Sequence, residues 1–167
     1  MRPSRDETWL NVAAEIARRS TCLRRAVGCV LLNARGHILA TGYNGRAAGL
    51  AHCGEAQVIN KVGELNSPYH NVCAGAYELS GANLDGCEAV HAEQNALLQC
   101  RDVYAIETCY VTVSPCITCV KLLLNTACRR IVFREAYAHN TLARELWLKS
   151  TVEPPRTWVQ FDPRRGS

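Results

Sequence analysis

The chain has 167 residues, enough for one domain with a proper core and too few for two of typical size. Its 48% hydrophobic and 20% charged content excludes disorder and fibrous repeats, and no apolar run approaches the roughly 18 residues that span a membrane. The net charge of +4 is mild, and its arginines fall in separate groups (Arg18, Arg19, Arg24 and Arg25; Arg129, Arg130 and Arg134; Arg156, Arg164 and Arg165), which suits a small anionic ligand at least as well as a nucleic-acid groove.

The opening MRPSRDETW lacks the apolar centre of a signal peptide, so a cytoplasmic protein is expected. From Asp6 to Arg19, Trp9, Leu10, Val12, Ala13, Ile16 and Ala17 recur at helical spacing and predict an amphipathic helix. VGCVLLN and HILATGY read as two strands joined by a turn at Ala34, Arg35 and Gly36. Between Asn44 and Val90 the pattern dissolves into glycine, asparagine, histidine and cysteine, too long a stretch for an ordinary loop and in need of a function or a staple. Regularity returns at His91: HAEQNALLQC predicts a helix, TCYVTV a strand, CITCVKLLLN a helix, CRRIVF a strand, and Asn140 to Lys149 a last helix. After Pro154 and Pro155 the tail is polar apart from WVQF. Alternating strands and helices predict an α/β fold over residues 1–167: a three-layer α/β/α sandwich around a central mixed sheet of about five strands.

Ten cysteines would suggest a disulfide framework in a secreted protein; without an export signal, reduced thiols and metal ligands are the better reading. Cys116 and Cys119 are spaced i, i+3, so at a helix start both sulfurs point to one side. Pro115 before them suits a helix N-terminus, whose free N–H groups and dipole stabilise thiolates. A structural zinc site closes with four protein ligands, whereas a catalytic one keeps three and leaves a position for water. Only one C-x-x-C pair exists here, so the third ligand is sought at His91, where Glu93 could reach the water on the metal. A lone histidine is usually a packed or solvated residue, and a lone C-x-x-C can be a redox pair. Together, H-A-E at one helix start and S-P-C-x-x-C at the next form the signature of zinc-dependent nucleobase deaminases. In that chemistry Glu93 is not a ligand but carries protons from water to the ring nitrogen and the departing ammonia.

RSTCLRRAVGCVLL, TGYNG, HAEQNALLQC and TVSPCITCVK occur in the order of the motifs of deoxycytidylate (dCMP) deaminases, which the chain resembles from about Asn11 to Tyr137. The resemblance implies one catalytic zinc on His91, Cys116 and Cys119, Glu93 as acid and base, and hydrolysis of dCMP to dUMP that supplies thymidylate synthesis. It implies substrate contacts from Asn44 to the sugar, from Arg24 near the phosphate, and from Ala92, Ser114 and Tyr137. Many similar proteins are hexamers activated by dCTP and inhibited by dTTP, which implies an effector site at Gly42, Tyr43, Gly45 and Asn95. Two departures stand out: RAAG follows GYNG where many relatives have a proline, and His139 stands where an aspartate is usual. Some similar deaminases also bind a structural zinc, which here implies Cys22, Cys53 and Cys87 with His70 or Cys73 as the fourth ligand. Such a metal would hold the weakly apolar insert in order. Cys29, Cys109 and Cys128 lie in apolar strands and are read as plain core residues.

Against this stands a deaminase of a base within RNA or DNA, which shares H-A-E and P-C-x-x-C but needs a basic surface for the polyanion. Free-nucleoside deaminases usually carry Cys where this chain has His91. A non-catalytic zinc module that only binds nucleotide has no use for Glu93. The expectation is therefore a mononucleotide substrate, with neither nucleic acid nor membrane as partner.

Overall fold

The computed structural model describes residues 2–54, 72–79, 81–83 and 85–163. Helix α1 (Arg5–Ala17) begins at Ser4, whose side chain accepts from Glu7 N–H, and buries Leu10, Ala13 and Ala17. Strands β1 (Gly28–Leu32) and β2 (Ile38–Tyr43) form the expected hairpin, closed by Gly36 at φ +84. Two short pieces the periodicity did not reveal, β3 (Gly45–Arg46) and β4 (Ala89–Val90), pair antiparallel and bring the two ends of the long insert together.

The regular half follows as read. Helix α2 (Ala92–Gln99), strand β5 (Thr108–Val113), helix α3 (Ile117–Leu124), strand β6 (Arg130–Glu135) and helix α4 (Asn140–Leu148) lie close to the predicted bounds. The tail departs from its reading: Thr157–Gln160 is strand β7, parallel to β6 at the sheet edge. Its four residues alternate in exposure too weakly to signal a strand, and pairing with β6 rather than its own pattern makes it one.

The sheet order is β2-β1-β5-β6-β7, antiparallel up to β5 and parallel beyond it, which is the mixed five-stranded sheet expected. Val30, Leu32, Tyr110 and Val132 face Leu10 and Ala13 of α1. Cys29, Leu31, Val111, Ile131 and Phe133 face Ala96, Val120, Leu123 and Trp147 of the other three helices. Cys29, Cys109 and Cys128 are fully buried, as core cysteines should be. Each large apolar side chain so buried contributes roughly 1.5–3 kcal/mol. Gly28 and Gly42 let helices come close: a Cβ would lie 2.0 Å from Ala13 O at the first and 2.2 Å from Ala92 O at the second. Strand directions then put the start of β1 and the ends of β2, β5 and β6 at one edge of the sheet, where open α/β sheets bind ligands.

Candidate active site

Two helix starts meet at that edge. Strand β5 runs through Ser114 and Pro115 into Cys116, the N-cap of α3, with Cys119 one turn further on. His91 is the N-cap of α2, its entry fixed by a 2.8 Å hydrogen bond from its backbone N–H to Gln94 Oε1. His91 Nδ1 lies 3.4 Å from Cys116 Sγ and 3.4 Å from Cys119 Sγ. Tetrahedral zinc with ordinary Zn–N and Zn–S bonds separates such donors by about 3.6 Å, so the three side chains fit the ion. Among the described residues they are the one group of three His, Cys, Asp or Glu donors gathered within 4.8 Å.

The two thiols share a proton. Cys116 is held down at about 4, chiefly by the hydrogen bond from Cys119 and then by the His91 imidazole, while Cys119, as donor and fully buried, is pushed well above the ordinary thiol range. The charge thus rests on the sulfur at the helix N-terminus, and metal binding would require the Cys119 thiol to give up its proton as well. His91 is raised, first through its bond to Cys116. Glu93 is 4% exposed, and burial lifts its carboxyl from 4.5 to about 7 against the attraction of His91. A carboxyl poised there can both take and give a proton near neutral pH.

A pocket of about 800 Å³, open mouth included, lies over these groups, and Arg24, Asn44, Ala92, Ser114 and Tyr137 all line it. Asn44 is 8% exposed and works hard within the chain: its Oδ1 accepts from Val27 N–H at 2.8 Å and Ser20 Oγ at 2.7 Å, and its Nδ2 donates to Arg25 O at 2.6 Å. It therefore shapes the stretch that carries Arg24 and Arg25. Arg24 Nη2 donates to the carbonyls of Leu79 and, at 2.7 Å, Ala82, while its buried Nη1 has no hydrogen-bond partner among the described residues. Ser114 Oγ accepts from Tyr137 N–H at 2.7 Å, tying the ends of β5 and β6 together.

The residues expected at an effector site take other places. Asn95 Nδ2 donates to Tyr43 O at 2.7 Å, Gly42 packs against α2, and Gly45 sits against Thr21, none of them in the pocket wall. The residues expected to hold a second zinc come together in part. Cys73 packs with Cys53 and Cys87, and Cys22 lies within electrostatic range of Cys87, yet no three of these sulfurs gather within 4.8 Å. His70, Arg164 and Arg165 lie outside the described residues. Pocket residues that the sequence did not place at the site are Arg25, Val27, Glu78, Gly81, Ala89 and Val113. Arg25 was readable as the neighbour of Arg24, whereas nothing in the aperiodic insert pointed to Glu78 or Gly81.

Residues 3–135 match the family model of the cytidine and deoxycytidylate deaminase zinc-binding region. The chain belongs to this deaminase family. It is 33% identical over 139 residues to the deoxycytidylate deaminase of Saccharomyces cerevisiae, covering 82% of this chain and 39% of that protein. To the deoxycytidylate deaminase of a Mycobacterium phage it is 36% identical, covering 79% of this chain and 95% of the relative. The chain thus spans well under half of the yeast protein and nearly all of the phage one. Among solved structures, the apo dCMP deaminase of cyanophage S-TIM5 superposes with a TM-score of 0.64 at 21% identity, over 96% of this chain and all of that one. The same phage enzyme in complex with dCMP and dUMP gives 0.57 at 25% identity, over 83% and 87%. In this chain the matched region takes in every element from α1 to β6, and with it both helix starts of the His-Cys-Cys group.

Proposed function

We propose that the chain hydrolyses dCMP to dUMP with release of ammonia, and so supplies dUMP for thymidylate synthesis. The observation that carries this is a buried proton carrier, Glu93, two residues from His91 in a three-donor group at the floor of a pocket. Zinc held by His91, Cys116 and Cys119 supplies Lewis acidity that makes water a nucleophile near neutral pH. Glu93 takes one proton from the attacking water and gives it to the ring nitrogen, then takes the second from the new hydroxyl and passes it to the amine, which leaves as ammonia as the C–N bond breaks and the carbonyl forms. Arg24 borders the 5′-phosphate, Asn44 and Tyr137 border the sugar, and Ala92 and Ser114 border the base.

The wider reading is a single deaminase domain over 1–167 with its insert at 44–90, working in the cytoplasm as a hexamer, with dCTP and dTTP acting at Gly42, Tyr43, Gly45 and Asn95. Among the described residues no helix is long and apolar enough to cross a membrane. A second, structural zinc on Cys22, Cys53 and Cys87, with Cys73 or His70, completes it. Ammonia release from dCMP, deoxycytidine and cytosine- or adenosine-containing oligonucleotides, with Glu93→Gln alongside, tests the activity. Turnover of dCMP alone, lost in the variant, supports the proposal; turnover of an oligonucleotide alone moves the chain to the editing enzymes, and no turnover at all leaves a nucleotide-binding module.

A further inference from the structure

His139 is the N-cap of α4, a position where serine, threonine, aspartate or asparagine usually closes the helix start, yet its side chain makes no capping hydrogen bond. The residue is exposed, and its ring is engaged elsewhere. The imidazole meets the Tyr137 ring edge to face, with centroids 5.9 Å apart and planes at 75°. The same imidazole covers Gly81, where an added Cβ would lie 2.2 Å from the His139 ring and 3.2 Å from the Tyr137 hydroxyl. At φ +88 and beneath a ring, that position suits glycine. Tyr137 and Gly81 both line the pocket, the first from just past the end of β6 and the second from the insert, whereas His139 stands behind them. Each wall is also held from its own side. Tyr137 N–H donates to Ser114 Oγ at 2.7 Å, and Tyr137 O accepts from Asn140 N–H at 3.1 Å. The carbonyls of Leu79 and Ala82, on either side of Gly81, hold Arg24 Nη2.

We propose that His139 is a positioning residue for the nucleotide: its ring clasps Gly81 and Tyr137 together, so that the two pocket walls stand assembled before dCMP enters. The proposal rests on the deaminase reading. A wall braced beforehand spares the nucleotide the cost of ordering it, so loss of the brace shows as weaker binding. An edge-to-face ring pair of this kind is worth about three- to tenfold in an equilibrium constant. The brace also steadies the two carbonyls that hold Arg24, the residue bordering the phosphate. His91, Glu93, Cys116 and Cys119 stand on α2 and α3, away from the clasp, so the chemical step on bound dCMP is untouched and KM rises with kcat kept.

The test compares His139→Asn, which removes the ring while offering α4 a capping side chain, with His139→Phe, which restores a ring. In the zinc-loaded protein, His139→Asn should raise both KM for dCMP and the Kd for dUMP, read by calorimetry, about three- to tenfold. Its kcat should stay within about twofold of wild type and its thermal unfolding should come no lower. His139→Phe should bring KM back to within about twofold of wild type. Gly81→Ala places a methyl where the ring lies and should raise KM too. Adding His139→Asn to that variant should then raise KM by less than it does in wild type, because both substitutions break one contact. An unchanged KM in His139→Asn, a rise that phenylalanine does not reverse, or two effects that simply multiply overturns the proposal alone. So does a variant that unfolds early and loses kcat, which would mark a role in the fold. Absence of both dCMP turnover and dUMP binding in the wild type overturns it together with the deaminase reading.

Discussion

Replacing Glu93 by Gln should abolish turnover and make the metal-free protein more stable. In the fold, burial raises the carboxyl from 4.5 to about 7, so folding forces this group to hold its proton more tightly than the open chain does. The sign follows: between about pH 4.5 and 7 the folded state binds more protons than the unfolded one, and stability falls as pH rises through that window. Each tenfold change in proton affinity is worth about 1.4 kcal/mol, so the full effect is about 3 kcal/mol above pH 7. Glutamine has the same shape without the charge and escapes this cost, less what its amide loses by burial. Urea unfolding of both metal-free proteins from pH 4.5 to 8 reads the difference directly. The variant's stability minus that of wild type should grow by about 3 kcal/mol across the window, whatever the groups common to both proteins, Cys116 among them, add to each curve, and in the zinc-loaded proteins dCMP turnover should fall by at least a hundredfold with zinc retained. Parallel pH curves, or an active variant, would refute the reasoning.

Other perturbations separate fold from site. The Arg130 guanidinium, bonded to Asp6 at 2.7 and 2.6 Å, holds the Asp6 carboxyl below its usual range, so its stabilisation is present at neutral pH and lost as pH falls through the carboxylate range. Asp6→Asn should cost about 1–3 kcal/mol at pH 7 and flatten acid unfolding, measured by circular dichroism. Asn44→Ala removes hydrogen bonds to Ser20, Val27 and Arg25 and should cost about 2–3 kcal/mol in urea titrations while raising KM for dCMP. In Gly42→Ala the new methyl meets Ala92 O at 2.2 Å and displaces α2; loss of zinc should accompany loss of activity, read by metal analysis. Trp147→Ala, deep in the core with Arg156 stacked on its ring at 4.7 Å, should cost about 3–5 kcal/mol and leave KM unchanged.

The regular half was legible because its signals are local. HAEQNALLQC and CITCVKLLLN carry helical periodicity and their ligands in the same few residues, so element and chemistry could be read together. What escaped depends on distant partners. β7 exists through its ladder to β6, and β3 and β4 are two-residue strands that only their mutual pairing defines. Glu78 and Gly81 reach the pocket beside the carbonyls of Leu79 and Ala82, which Arg24 grips from 55 and 58 residues earlier in the chain, an arrangement no spacing rule encodes. Asn44 shows the opposite limit. Its place in TGYNG pointed to the ligand, but its work within the chain, holding the arginine-bearing stretch, became visible only when Ser20, Val27 and Arg25 were seen around it.

The register of the sheet explains why so few residues can build such a site. β1 runs against both of its neighbours, so the start of β1 and the ends of β2 and β5 share an edge, and the parallel β6 adds its own end there. From those four strand ends come Arg24 and Arg25, Asn44, Ser114 with Cys116, and Tyr137. Helix α2, pressed onto β2 at Gly42, then delivers His91 and Glu93 to the same edge. A one-residue slip of β1 against β5 would turn Cys29 and Leu31 from the α2 side to the α1 side and carry the arginines away from Cys116. Core packing and the placing of Glu93 are therefore one constraint, which is why the fold can tolerate a carboxyl as poorly solvated as this one.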